Sequence, residues 1–250
     1  MKILIDTNIY LDFYRSNNET LKLFKELVNH FDKIILTDQI IFEFERSREG
    51  VIKKVRQNFE AESRIENFSS SYLQDLSEFK DLIELQKQYK VKRTTLINKL
   101  NENLEDPSKD PVASFFKEFV DESLKNDKIY RTTEDIIQKA NNRKLIGNPP
   151  TSDKYSIGDE INWELVIANV KEDIIIVGRD NTYNDNLSFL KKDFHKNTGH
   201  LIKGLTDSIT KALGSVGVET NQELKDAEEK LIGEIKSYNE YWKRTEIEDD

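Results

Sequence analysis

The chain has 250 residues, 36% of them hydrophobic and 34% charged, with a net charge of −9 and no cysteine. Its length suits one sizeable α/β domain, or a domain carrying a large insertion, and its charge content points to much solvent-facing helix. Disulfides, thiolate metal sites and cysteine nucleophiles are excluded, which leaves oxygen and imidazole as metal donors. No stretch approaches the roughly 20 apolar residues that cross a bilayer, and Met1-Lys2-Ile3-Leu4-Ile5 meets Asp6 too soon for a signal peptide, so no membrane association and a cytoplasmic location are expected.

The acidity is uneven. Glu219 to Asp250 holds 11 acidic and five basic residues, a balance of −6, so the preceding 218 residues carry only −3 of the total −9. Overall charge is therefore weak ground for excluding a nucleic-acid partner.

In chain order, residues 2–5 form a short apolar run ending at an acid, and Lys33-Ile34-Ile35-Leu36-Thr37 is a second run rich in β-branched residues; both read as buried strands. Leu21, Phe24, Leu27 and Val28 between them recur at helical spacing, giving strand, helix, strand, the start of a parallel sheet. From about Val51 to Leu104 apolar residues are sparse, helically spaced and set among charges, the pattern of a long helical hairpin or arm. A polar break at residues 105–111 precedes two short helices, Ser114 to Leu124 and Thr133 to Ala140, and Gly147-Asn148-Pro149-Pro150 closes the insertion. A helix marked by Trp163, Leu165, Val166 and Val170 leads into the strand Asp173-Ile174-Ile175-Ile176-Val177. His200-Leu201-Ile202 reads as a short strand, with Thr206 capping a helix that stops at Gly214. Gln222 to Trp242 is a charged helix that either packs back on the domain or binds a partner. The expected segments are thus a core in two parts, 1–50 and 146–215, an insertion over 51–145 and an acidic tail over 216–250.

Ligands of open α/β sheets bind beyond the carboxyl ends of the parallel strands, and two strands here run into acids at that edge. Asp6 follows Ile3-Leu4-Ile5 directly, and Asp180 follows Ile174 to Val177 after Gly178-Arg179. A lone aspartate after a strand is more often a helix cap or turn residue than a catalyst; two at equivalent positions are harder to explain that way. Glu43 lies between Phe42 and Phe44 where the second strand gives way to a helix, and its ordinary reading is an exposed residue on a helix whose aromatics face the core. Asp159 stands in Gly158-Asp159-Glu160-Ile161-Asn162-Trp163, and its ordinary reading is a first-turn acid favoured by the helix dipole.

Taken together, Ile3-Leu4-Ile5-Asp6-Thr7-Asn8, Glu43-Phe44-Glu45-Arg46-Ser47-Arg48, Gly147-Asn148-Pro149-Pro150 leading to Gly158-Asp159 and Asn162-Trp163, and Ile174 to Asp180 resemble the PIN-like domain family, in particular members with a helical insertion and a late Gly-Asp-x-x-x-Trp motif. The resemblance covers roughly residues 1–60 and 145–215. It implies a three-layer α/β/α fold around a central parallel sheet with a long helical insertion. It also implies a nuclease, most often an endoribonuclease, whose acids bind Mg2+ or Mn2+. Carried over by position, Asp6, Asp159 and Asp180 become the principal ligands and Glu43 the fourth acid, with Asn8 and Asn162 as polar supports. Relatives often carry a further acid soon after the last strand; here amides come first and Asp185 is displaced.

Elementary chemistry agrees with that implication, because converging carboxylates repel one another unless a divalent cation neutralises them, and an oxygen-only site suits Mg2+ or Mn2+. Paired-histidine cleavage has little material, since His30 lies at a helix end and His195 and His200 in a polar segment. For substrate, Arg46, Arg48, Lys53, Lys54 and Arg56 follow Glu43, and Arg179, beside Asp180, either contacts phosphate or satisfies the acid cluster. Such a run is usually a solvated helix face, but beside the acids it gives phosphate contacts to RNA, or less favourably DNA. A second cluster, Lys87, Lys90, Lys92 and Arg93 with Tyr89, lies on the arm. The arm and tail are the expected surfaces for a protein partner or inhibitor, and a homodimer is a further expectation with no surface assigned. Competing readings are a catalytically silent binding scaffold and a haloacid-dehalogenase-type phosphatase; the second needs an aspartate where Asn8 stands. Whether the role is that of a toxin, a phage-defence effector or a housekeeping enzyme is left open by the residues.

Overall fold

The computed structural model describes residues 1–16, 18–151, 156–179 and 181–248. Two compact units divide the chain, one formed by Met1–Ser47 with Phe115–Asp250 and the other by Arg48–Ser114.

The first unit is built on five parallel strands in the order β3-β2-β1-β4-β5. In chain order its elements begin with β1 (Lys2–Ile5), α1 (Thr7–Leu11), α2 (Asn18–Asn29) and β2 (Ile34–Thr37). The helix α3 (Asp38–Glu62) runs out of this unit into the second one, which also holds α4 (Ser77–Glu105), and α5 (Pro111–Lys125) runs back. Then follow β3 (Ile129–Tyr130), α6 (Glu134–Leu145), α7 (Gly158–Asn169), β4 (Ile174–Val177), α8 (Asn181–Asn184), α9 (Leu187–Thr198), β5 (Ile202–Thr206), α10 (Ile209–Ser215) and α11 (Gln222–Glu248). The central strands bury almost every side chain, because helices cover both faces of the sheet, and this explains why they read as continuous β-branched runs rather than alternating ones. Register pairs Ile3 with Ile34 on one side and Lys2 through Ile5 with Ile174 through Val177 on the other.

One set of aromatic side chains, Tyr10, Phe13, Phe24, Phe44, Phe116 and Phe119, comes from α1, the 3-10 turn Asp12–Arg15 after it, α2, α3 and α5, with the Phe44 and Phe116 rings stacked at a centroid distance of 3.8 Å. Another centres on α7, where Trp163 lies 6.1 Å from Phe194 of α9 and donates its indole N–H to Asp193 at 2.9 Å. Arg143 joins this second set through Glu164 (2.7 Å), Asp193 (2.9 Å) and the Pro149 carbonyl (2.7 Å), so its buried charge is balanced on three sides.

Several expectations change. Residues 115–145, assigned to the insertion by sequence, belong to the sheet-bearing unit and supply edge strand β3, which at two residues is too short for periodicity to reveal. The last strand runs over Ile202–Thr206, not 200–202, and the cap of the next helix is Ser208 rather than Thr206. The acidic tail packs back on this unit: Leu224, Leu231, Ile232 and Ile235 of α11 are buried. Glu228, 1% exposed, accepts hydrogen bonds from the hydroxyls of Ser208 and Thr210 and the backbone N–H groups of Ile209 and Thr210. That satisfies the first turn of α10, whose N–H groups have no intrahelical partner.

In the second unit α3 and α4 form an antiparallel helical hairpin. Arg48 bonds Asp110 at 2.8 Å and the Asn103 carbonyl, Arg56 bonds Asn101 at 3.0 Å, Arg93 bonds Ser63 and the Glu60 carbonyl, and Gln86 bonds the Glu66 carbonyl. Among the described residues of α4 none is buried.

Candidate functional site

The chain lays down β1, β2 and β3 outward in one direction and then returns to place β4 on the free side of β1. The strand order therefore reverses between β1 and β4, and the crevice at their carboxyl ends is where an open α/β sheet binds ligands. Asp6 follows β1 at that edge, and Gly178 and Arg179 follow β4. The edge is drawn together by main-chain bonds: the Asp6 N–H donates to the Val177 carbonyl at 2.9 Å and the Gly178 N–H to the Thr206 carbonyl at 3.0 Å.

Asp6 occupies the N-cap position of α1 with extended backbone (φ −64°, ψ 144°), yet its carboxylate makes no capping hydrogen bond. The cap reading of this residue thus loses its basis. Instead, the Asn8 amide donates to Asp6 Oδ2 at 3.2 Å, as a polar support would. Beneath it the Tyr10 hydroxyl is fully buried, and burial first, then the charge of Asp6, hold its pKa well above that of an ordinary phenol, so it stays protonated.

Glu43 ties the motifs together. Its Oε2 accepts from the Thr7 hydroxyl at 2.8 Å, one residue from Asp6, and its Oε1 accepts from the Gln39 amide at 3.0 Å, one turn earlier on α3. A Cβ built on Gly158 would lie 2.1 Å from Glu43 Oε1 and 2.7 Å from Gln39 Nε2. Glycine at the start of α7 is therefore what lets the Glu43 carboxylate lie against the helix end that carries Asp159. On the other flank, a Cβ on Gly178 would come 4.0 Å from the Asp6 Cβ. The contacts of Thr7 with Glu43, Glu43 with Gly158 and Asp6 with Gly178 link all four sequence motifs at one sheet edge. Thr7, Gln39 and the spatial role of Gly158 were missed by the sequence reading; none carries a signal until α3 and α7 are placed side by side.

Asp159, half-buried in the first turn of α7, follows Gly158 directly. Asn162 is 5% exposed and accepts from the Thr37 hydroxyl at 2.5 Å, while the Thr37 oxygen accepts from the Ile40 N–H at 3.0 Å. It therefore fastens α7 to the end of β2 and the start of α3. Asp180 lies outside the described residues, and Asp185 is exposed on the turn after α8.

The expected phosphate-binding cations separate. Arg48 is 6% exposed and consumed by Asp110, so it is a structural cation of the hairpin rather than a surface contact. Arg179 is likewise engaged, bonding Asp12 at 2.6 Å and the Asp207 carbonyl at 3.2 Å, with Asp12 also held by Arg15 at 3.0 Å. These two assignments are corrected by buried partners that sequence spacing does not disclose. Arg46 and Lys54 are exposed; Lys53 pairs with Glu49 at 3.3 Å and Arg56 with Glu60 at 3.0 Å. The histidines stand apart: His30 is 3.8 Å from Glu26, His200 is 3.9 Å from Asp173 at the opposite end of β4, and His195 is exposed on α9.

Among the described residues no three carboxylates or imidazoles are grouped closely enough to hold a metal ion. The donor chemistry at the edge nonetheless fits a hard divalent cation. It offers carboxylate oxygen without sulfur or imidazole, and Glu43, with one hydrogen bond on each oxygen, keeps a lone pair on both. Among the described residues no helix is long and apolar enough to cross a membrane.

A family model described as PIN domain matches residues 3–183, which is more than half of the chain and extends across the hairpin. No curated protein and no solved structure matches the chain.

Proposed function

The chain belongs to the PIN domain family, whose members are generally nucleases, and on that premise we propose that it is a Mg2+- or Mn2+-dependent endoribonuclease acting at the β1/β4 edge. The observation that carries the reading is the linkage of Asp6, Glu43 and Asp159 through Thr7 and Gly158 at the point where strand order reverses. Asp6 and Asp159, with Asp180 by its motif, would hold the cation, and Asn8 steadies the Asp6 carboxylate. A bound cation supplies positive charge that offsets the carboxylates, acidifies water and stabilises charge on the phosphoryl oxygens.

Glu43 is held from two sides by Thr7 and Gln39, which fixes its carboxylate for orienting the attacking water and taking up its proton. The water oxygen forms the new bond to phosphorus as the bond to the leaving ribose oxygen breaks, and that oxygen takes a proton from solvent, so one phosphodiester yields one phosphomonoester and one hydroxyl end. Tyr10, protonated and buried beside Asp6, adds no competing negative charge. Exposed Arg46 and Lys54 remain as phosphate contacts, and Asp185 is a candidate further acid.

Incubation with single-stranded RNA, structured RNA and DNA tests the proposal, with EDTA and Asp6→Asn as controls. RNA cleavage that needs Mg2+ or Mn2+ and falls at least about 100-fold in Asp6→Asn is expected. Cleavage that survives EDTA, or is equal in both proteins, refutes the carboxylate mechanism. Preference for DNA corrects the substrate, and tight binding without cleavage favours a scaffold.

A further inference from the structure

The segment after α3 and the middle of α4 enclose a cavity of about 400 Å3 lined by Arg64, Ile65, Tyr89, Lys90, Arg93 and Thr94. All of its charged lining residues are cations. None of the three is in an ion pair among the described residues, whereas their neighbours Arg48, Lys53, Arg56 and Lys87 each pair with an acid. In a chain of net charge −9 this is a local concentration of uncompensated positive charge.

The walls are held in place. Arg93 donates Nε to the Ser63 hydroxyl at 2.9 Å and Nη2 to the Glu60 carbonyl at 2.8 Å, and the Tyr89 hydroxyl donates to the Ser63 carbonyl at 3.0 Å. Those two bonds use two of the five guanidinium N–H donors, so the group is oriented while donors remain. Lys90 is steadied by Asn67, and Arg64 is exposed. Beside the cations, Tyr89 and Ile65 are 37% and 43% exposed, a ring and an aliphatic surface left open to a partner. Fixed donors for an anion next to a flat apolar wall, in a space within the usual size range of small-ligand sites, match one nucleotide: phosphate on the cations, base on the ring.

We propose that this cavity binds a nucleotide unit of single-stranded nucleic acid, its phosphate held by Arg64, Lys90 and Arg93 and its base lying against Tyr89 and Ile65. The ligand class rests on the nuclease reading, but the cavity is made wholly by the hairpin unit and is tested by binding alone.

Fluorescence anisotropy of a labelled single-stranded RNA with the full chain in EDTA, over a series of salt concentrations, measures it. Arg64→Ala/Lys90→Ala removes two exposed side chains, so the fold should persist, as circular dichroism will verify. The double variant is expected to bind about tenfold more weakly, with a log–log salt slope reduced by up to about 0.7, the value for one phosphate no longer neutralised. Lys87→Ala, outside the cavity, stays within about twofold of wild type. Competition by adenosine monophosphate that the double variant loses supports the same phosphate-and-ring chemistry, with a free nucleotide as its source. Unchanged affinity and slope in the double variant overturn the proposal. If wild type binds RNA through the cavity but cleaves nothing in Mg2+ or Mn2+, the nuclease reading fails and the cavity stands; cleavage with an unaltered double variant gives the reverse.

Discussion

In the sheet-bearing unit, strands β1, β2 and β4 bury nearly all their side chains among Trp163, Tyr10, Phe24 and Phe194, whereas the 29-residue α4 of the hairpin buries none of its own. Across the hairpin run polar ties from side chains to backbone carbonyls, to the Asn101 amide and to Asp110, through Arg48, Arg56, Tyr89 and Arg93. Apolar burial places Asp6, Glu43 and Asp159 on elements that cannot shift without opening the core, because a filled core tolerates few alternative packings. Polar ties with exposed surroundings open at lower cost, so the hairpin is the less stable unit and the better place for a surface that binds. On the proposed reading, geometry for chemistry and surface for contact are divided between the two.

Arg48→Ala tests that division with the largest effect. It leaves Asp110, 1% exposed, without its guanidinium, and breaking a buried pair costs about 3–5 kcal/mol. Hydrogen exchange should accelerate throughout residues 48–114 while amides of β1 and β4 keep their protection. Equal acceleration in the sheet would break the comparison.

Gly158→Ala probes the other side. A methyl at 2.1 Å from Glu43 Oε1 forces that carboxylate out of the position Thr7 and Gln39 hold it in, while helix propensity favours alanine by up to ~1 kcal/mol and no positive φ opposes it. Cleavage is expected to fall roughly 10- to 100-fold with the melting temperature lowered by no more than about 2 °C. Full activity would sink the assignment of Glu43.

Much of the sheet was legible because β1, β2 and β4 are buried on both faces and so appear as unbroken runs of Ile, Leu and Val. Strand β5 was misplaced since Lys203 and Gly204 interrupt its apolar pattern, and β3 was missed because two residues have no period. At the candidate site Asp6, Glu43 and Asp159 could be picked out by their motifs. What holds Glu43 could not, because Thr7, Gln39 and Gly158 lie on three segments whose meeting depends on the finished fold. Arg48 and Arg179 misled for the same reason, as Asp110 and Asp12 are distant in sequence.

A smaller effect concerns the tail, whose docking on the sheet-bearing unit includes the 2.7 Å pair of Lys236 with Asp207. Burial raises the pKa of Asp207, but the Lys236 hydrogen bond and charge, a backbone hydrogen bond and the charge of Arg179 together outweigh it and the net shift is downward. Because the folded value lies below the unfolded one of ~3.9, the stabilisation is complete above that pH and is lost as pH falls through the folded value. Lys236→Met should lower the melting temperature by at most about 2 °C at neutral pH, with the gap to wild type closing below about pH 4. A gap that widens in acid would contradict the sign.

The central claim, that Asp6 and Asp159 serve one cation at the β1/β4 edge, is tested most directly by calorimetric titration of Mn2+ into wild type, Asp6→Asn and Asp159→Asn without nucleic acid. Each substitution is expected to weaken binding at least about tenfold while the fold is retained. Equal Mn2+ affinity in all three proteins would contradict the account.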